Sequence, residues 1–149
     1  MRFLRKATFA DIDTITAVDH EFASGGRKEF FERAIRRAGG YVLEEEGRVI
    51  GVGVLEYAFF EHGFISLIYV SPAARRTGAG QMLLQYLVSI CETPKLFSST
   101  NLSNEPMKAL FAKAGFMPSG MIHNLDPNDS EIVYYKVRDE EDDSARTVT

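Results

Sequence analysis

The sequence predicts an α/β fold: a mixed sheet with helices on both faces, in three layers, with the order β-α-α-β-β-β-α-β-α-β-β. Three observations lead there. The run FISLIYV, Phe64 to Val70, is almost wholly apolar, like a strand covered on both faces. A turn of arginines and glycines follows it and leads into an amphipathic helix. Elsewhere, β-like runs come in pairs joined by short turns, so strands and helices alternate only in mid-chain.

Each element has its own signal. RFLRKAT reads as an opening strand. Thr8 to Asp11 has the shape of a capping box, Thr with an acid three residues on. Ile12, Ile15, Val18 and Phe22 then give a helical stripe, broken by Ser24-Gly25-Gly26. Phe30, Phe31, Ala34, Ile35 and Ala38 give a second stripe, stopped by Gly39-Gly40. YVLEEE and RVIGVGVLEYAFF flank a glycine turn at Gly47 and read as a hairpin. Gly51 and Gly53 weaken the second of these strands but permit close approach to it. After FISLIYV, a helix runs from about Ala79 to Cys91, with Met82, Leu83, Tyr86, Leu87 and Ile90 inward. KLFSST is a short strand. Asn104 is the expected N-cap of the next helix, Pro106 lies in its first turn, and Gly115 follows its last. SGMIHN and EIVYYKV form a final antiparallel pair around an Asp126–Ser130 loop.

One domain is expected over residues 1–138, with an acidic tail, residues 139–149, that frays. The chain of 149 residues is 45% apolar and 26% charged, a globular composition. Its net charge of −4 argues against nucleic-acid binding by bulk attraction. A single cysteine, Cys91, rules out an intrachain disulfide and a thiolate-built zinc site. The histidines at 20, 62 and 123 have no ligand spacing, so no metal is expected. No signal-peptide pattern follows the early basic residues, and no apolar run approaches the ~18 residues of a membrane span. A cytoplasmic protein, with neither nucleic acid nor membrane as partner, is the expectation.

The stretch Arg75-Arg76-Thr77-Gly78-Ala79-Gly80 carries the chemistry. A dinucleotide fingerprint would need a third glycine where Leu83 stands, and a P-loop would need Lys-Ser/Thr where Gln81-Met82 stand. A helix N-terminus still offers unpaired N–H groups and about half a positive charge. Two glycines let an anion reach those amides, and two arginines add charge, which suits a pyrophosphate.

The same stretch resembles the R/Q-x-x-G-x-G/A signature of the GNAT superfamily of N-acetyltransferases. A second block, Asn104…Ala109-Leu110-Phe111…Lys113…Gly115-Phe116, is similar to the family's N-x-x-A-x-x-L-Y-x-K-x-G-F with an offset alanine. The opening RKATFADIDTITAVD also fits, so the likeness spans about Arg2 to Arg138. The ending SGMIHNLDPNDSEIVYYK is similar to that of a bacterial subgroup of the family.

The resemblance implies the GNAT fold and acetyl-CoA as co-substrate, held in a gap between the fourth and fifth strands. The backbone of Ile68, Tyr69 and Val70 would receive the pantetheine arm. Amides from Arg76 through Thr77, Gly78, Ala79 and Gly80 to Gln81 would hold the pyrophosphate, with Arg75 opening the loop. Asn104 and Phe111 would border the cofactor from the next helix, and a strand N–H near Val70 would meet the oxyanion. The acceptor, an amine, would sit between the first helices and the last hairpin, where Glu21 and Asp126 could draw a cation.

This chain departs from the pattern in two places. The family's tyrosine acid is Phe111, leaving Tyr69, Tyr134 and Tyr135 as alternatives. The family's strand-borne Glu or His falls at about Phe64 and Ser66. Ser66 could hold a water, and Glu56, Glu61 and His62 are other candidates for a base. A non-catalytic acyl-CoA sensor is therefore a second reading, and pairing into a homodimer stays open.

Overall fold

The computed structural model describes residues 1–139 and 142. Strand β1 (Arg2–Lys6) leads to α1 (Phe9–Val18), α2 (His20–Ala23) and α3 (Arg27–Arg36). Strands β2 (Gly40–Glu45), β3 (Arg48–Phe59) and β4 (His62–Val70) follow, then α4 (Ala79–Ile90), β5 (Lys95–Asn101), α5 (Glu105–Lys113), β6 (Met117–Asp126) and β7 (Asp129–Val137). All strands join one seven-stranded sheet, ordered β1-β2-β3-β4-β5-β7-β6. Among the described residues only β4 and β5 pair in parallel, as the crossover through α4 requires.

Two apolar clusters make the three layers. Ile12, Ile15, Phe22, Phe31 and Ala34 of α1–α3 pack on Val42, Val52, Val54 and Tyr69. On the other face, Leu84, Leu87 and Val88 of α4 and Phe111 of α5 pack with Leu55, Ile65, Leu96, Ile132 and Tyr134. Among the described residues no helix is long and apolar enough to cross a membrane.

The structure revises four sequence expectations. The first predicted helix is two, because Asp19 stops α1 and caps α2, its Oδ1 accepting from the Phe22 N–H at 3.0 Å. The inward stripe of α4 is Leu83, Leu84, Leu87 and Val88; Met82, Tyr86 and Ile90 lie at its margins. Gly53 sets that contact, since a Cβ there would sit 2.9 Å from Leu87 Cδ1. The predicted short strand at Ser119–Asn124 is longer, spanning all of β6, with a tight turn at Pro127-Asn128. Finally, β4 is not covered throughout: Ser66, Leu67 and Ile68 are only half-buried. Of the tail expected to fray, Asp139 and Asp142 are described, each backbone N–H bonding the other's carboxylate (2.8 and 3.2 Å). The rest of that expectation lies outside the described residues.

Candidate active site

Strand β4 opens the site. It pairs with β5 only at Gly63, Phe64 and Ile65, and the two strands then diverge. On its other side β4 carries a bulge: Val54 opposes Leu67 and Leu55 opposes Ile65, which leaves Ser66 as the extra residue. Parallel strands that separate leave backbone N–H and C=O groups facing a slot rather than a neighbour. The slot is a 190 Å³ cleft bordered by Ser66, Ile68, Ser99, Asn104, Met107 and Glu131.

Beyond Val70, a turn at Pro72–Ala74 carries the chain to α4. Gly78 is the N-cap of α4 and adopts φ 87°, a left-handed conformation that suits glycine. The first α4 amide to find an α-helical carbonyl from the cap is that of Met82, bonded to Gly78 O at 3.0 Å. A Cβ on Gly78 would meet nothing within 4 Å, so the space over the helix mouth is open. Gln81 Oε1 is buried there without a partner. An open helix mouth capped by a left-handed glycine fits a phosphate-bearing ligand, whereas the orphaned Gln81 Oε1 is an acceptor that suits a ligand N–H or O–H.

Residues 8–116 match the Acetyltransferase (GNAT) family. The chain belongs to that family. Its fold is also that of an acetyltransferase of the GNAT family from Bacillus cereus, with 35% identity over 94% of this chain and 99% of the other, at a TM-score of 0.86. More distant structures share the fold. The ribosomal-protein-S18-alanine N-acetyltransferase from Escherichia coli has 17% identity, coverage of 94% and 97%, and a TM-score of 0.76. YncA from Salmonella typhimurium, solved with its cofactor acetyl-CoA, has 19% identity, coverage of 93% and 95%, and a TM-score of 0.72. No curated protein matches this chain.

In this GNAT acetyltransferase a buried polar network braces the exit of β4. The Tyr69 hydroxyl, with a single proton to donate, lies within hydrogen-bond distance of both oxygens of Asp19 (2.9 and 3.0 Å) and of Glu21 Oε2 (2.8 Å). Ser71 Oγ donates to Asp19 at 2.8 Å. Burial alone would raise the Asp19 carboxyl, but the bonds from Phe22, Ser71 and Tyr69 hold it below the usual carboxylate range. Glu21 is held low by Tyr69 and then by Arg75. Burial, then the two acids, pushes the Tyr69 hydroxyl upward, so it is a poor proton donor. The guanidinium groups of Arg27 and Arg75 lie over its ring, at 5.4 and 5.6 Å.

The structure brings some of the expected site residues together and sets others apart. Arg75, Glu21 and Tyr69 are together: Arg75 Nε donates to Val70 O at 2.9 Å and its other arm pairs with Glu21. Glu21 thus neighbours the turn that begins at Arg75, its carboxylate already engaged. Asn104 borders the cleft, while its Oδ1 caps α5 by accepting from Met107 N–H at 3.1 Å. Asp126 sits on the hairpin, bonded by Asn101 Nδ2 at 2.8 Å. Phe111 is fully buried, stacked on Tyr134 at 4.7 Å. Ser66 Oγ donates to Glu56 at 2.6 Å.

Two residues escaped sequence reasoning. Arg2 reaches from β1 to the turn before α4, donating to Thr77 Oγ1 at 2.8 Å and Thr77 O at 3.2 Å. Glu131 borders the cleft and accepts from Ser99 Oγ at 2.7 Å. Neither has a local signal, because each acts across strands distant in sequence. Among the described residues no group of three or more His, Cys, Asp or Glu could hold a metal.

Proposed function

We propose that this GNAT acetyltransferase transfers the acetyl group of acetyl-CoA to an amine of a small molecule or protein. The observation that carries the reading is the slot between β4 and β5 running toward the glycine-capped mouth of α4. Backbone groups of Ile68, Tyr69 and Val70 would hold the pantetheine arm as an added strand would. Amides from Arg76 to Gln81 would hold the pyrophosphate, with Arg75 beside them once it leaves Glu21. Asn104 and Phe111 would lie along the same arm, Phe111 as packing.

Acetyl-CoA supplies an activated acyl group; the chain must supply a neutral amine and a place for negative charge. A lysine-like amine, with a pKa of about 10.4, needs about 4–5 kcal/mol to be neutral near pH 7. A nearby carboxylate or an ordered water meets part of that cost. The Ser66 hydroxyl is suited to holding such a water. The bulge makes the Ser66–Leu67 stretch a candidate, alongside the neighbourhood of Val70, for the N–H that meets the oxyanion.

The test is release of free thiol from acetyl-CoA with a panel of amines, together with calorimetry of acetyl-CoA binding. Gly78→Glu puts a carboxylate at the helix mouth and should weaken acetyl-CoA binding at least about tenfold, while circular dichroism shows the fold intact. Unchanged affinity in the folded variant would remove the pyrophosphate assignment.

A further inference from the structure

One region of the sheet has chemistry that the cofactor reading leaves unused. Pairing fixes which residues share its face. Glu56 opposes Phe64 across β3 and β4. Phe64 lies beside Phe97 across the parallel pair. Phe97 opposes Tyr135, Ser99 opposes Val133, and Asn101 opposes Glu131 across β5 and β7. Cross-strand partners point to the same side, so Glu56, Phe64, Phe97, Ser99, Tyr135 and Glu131 share one face. Helices α4 and α5 pack on the opposite face. Helices α1–α3 cover the other half of this one, over Val42, Val52, Val54 and Tyr69.

The result is a half-exposed aromatic floor with an acid on either side. Phe59 contacts Phe64 at 4.8 Å and Phe97 at 5.2 Å, and Phe97 lies 6.2 Å from Tyr135. Glu56 is oriented by the Ser66 hydroxyl at 2.6 Å, on the β4 side of the slot. Glu131 is oriented by Ser99 at 2.7 Å, on the β7 side. Neither has a cationic partner among the described ion pairs. Half-buried carboxylates held by neutral donors keep their charge available to an incoming cation, and aromatic faces attract both cations and flat apolar groups.

We infer that the acceptor is a primary ammonium on an aryl-alkyl body: the ring lies on Phe64, Phe97 and Tyr135, and the ammonium is met by Glu131 across the slot from the Ser66–Glu56 pair. This rests on the acetyl-transfer reading above and names its substrate class. Glu131 accepts one proton from the ammonium. The neutral nitrogen then forms a bond to the acetyl carbon as the carbon–sulfur bond breaks, and the nitrogen's second proton leaves with the thiolate as free thiol. Two protons thus leave the nitrogen, one to Glu131 and one to sulfur, and the product is a neutral amide.

The experiment compares 2-phenylethylamine with ethylamine and with the diamine putrescine, by thiol release at fixed acetyl-CoA. The aryl amine should show a kcat/KM at least about tenfold above either comparison amine. Glu131→Gln should lower kcat/KM for 2-phenylethylamine by roughly 10²-fold, with the KM for acetyl-CoA unchanged. Backbone amide NMR of the wild type with 2-phenylethylamine should show shifts clustered at Phe64, Phe97 and Tyr135. Acetyl-CoA binding with turnover of putrescine or ethylamine in preference to the aryl amine overturns this inference and leaves the acetyl-transfer reading standing. A concentration-dependent dimer that covers Phe64 and Tyr135, without amine-dependent shifts, also overturns it. Absence of acetyl-CoA binding overturns both.

Discussion

Removing the Asp19 carboxylate should cost about 3 kcal/mol of stability. Three donors converge on this nearly buried side chain: the Phe22 N–H, the Ser71 hydroxyl and the Tyr69 hydroxyl. Loss of a helix N-cap costs about 1 kcal/mol. A buried hydroxyl that loses its acceptor costs about 1–3 kcal/mol. The lower end applies here: Tyr69 keeps Glu21, and Ser71 is half-exposed and can turn to water. Relief of repulsion between Asp19 and Glu21 trims the total. In Asp19→Ala the melting temperature should therefore fall by roughly 6–12 °C, at about 2–4 °C per kcal/mol for a chain of this size. Asp19→Asn retains one acceptor oxygen and should lose about half as much. The pH dependence follows from the depressed carboxyl. Its stabilisation is fully present above the unfolded value of about 3.9 and is lost as pH falls through the lower folded value. The gap between wild type and Asp19→Asn in urea melts should thus stay constant from pH 5 to 8, on the scale of that reference value, and close below it. A loss under about 1 kcal/mol for Asp19→Ala, or a gap that widens in acid, would refute the reasoning.

The β3–β4 turn consists of Phe60 and Glu61, both left-handed at φ 51° and 66°. Asn-Gly at these positions suits the turn and should raise stability by about 1–2 kcal/mol, read as a higher urea midpoint with an unchanged slope. The Asp11 carboxylate accepts two bonds from Arg5 at 2.9 Å each and one from Thr8 N–H at 2.7 Å. Burial would raise it, and those bonds hold it low. Arg5→Met should therefore move the acid-unfolding midpoint upward in pH, with about 1–3 kcal/mol lost at neutrality; an unmoved midpoint would show that Thr8 alone suffices.

What the sequence revealed and what it hid divide along one physical line. The α4 cap, the α5 cap at Asn104 and the left-handed Gly115 were legible because each is decided within a few residues. The turn from Arg75 to Gly80 that leads into α4 was legible for the same reason. Asp19 was not: its role as a helix break depends on Tyr69 and Ser71, about fifty positions on. The Phe60-Glu61 turn lacked turn residues, so strand pairing rather than local preference must hold it. The proposed acceptor side was least legible, since Glu131 in EIVYYKV reads as an ordinary outward residue of an alternating strand. Only the register with β5 puts it beside Ser99, and only the divergence of β4 from β5 makes that position the edge of a cleft. In the proposed site, cofactor binding would rest on local backbone geometry, whereas acceptor choice would rest on side chains assembled across the sheet. The same loop can therefore be kept while three or four face residues change the substrate. In the acceptor site proposed above, Glu131, Tyr135, Phe97 and Phe64 would set specificity, and their exchange should alter amine preference without altering affinity for acetyl-CoA.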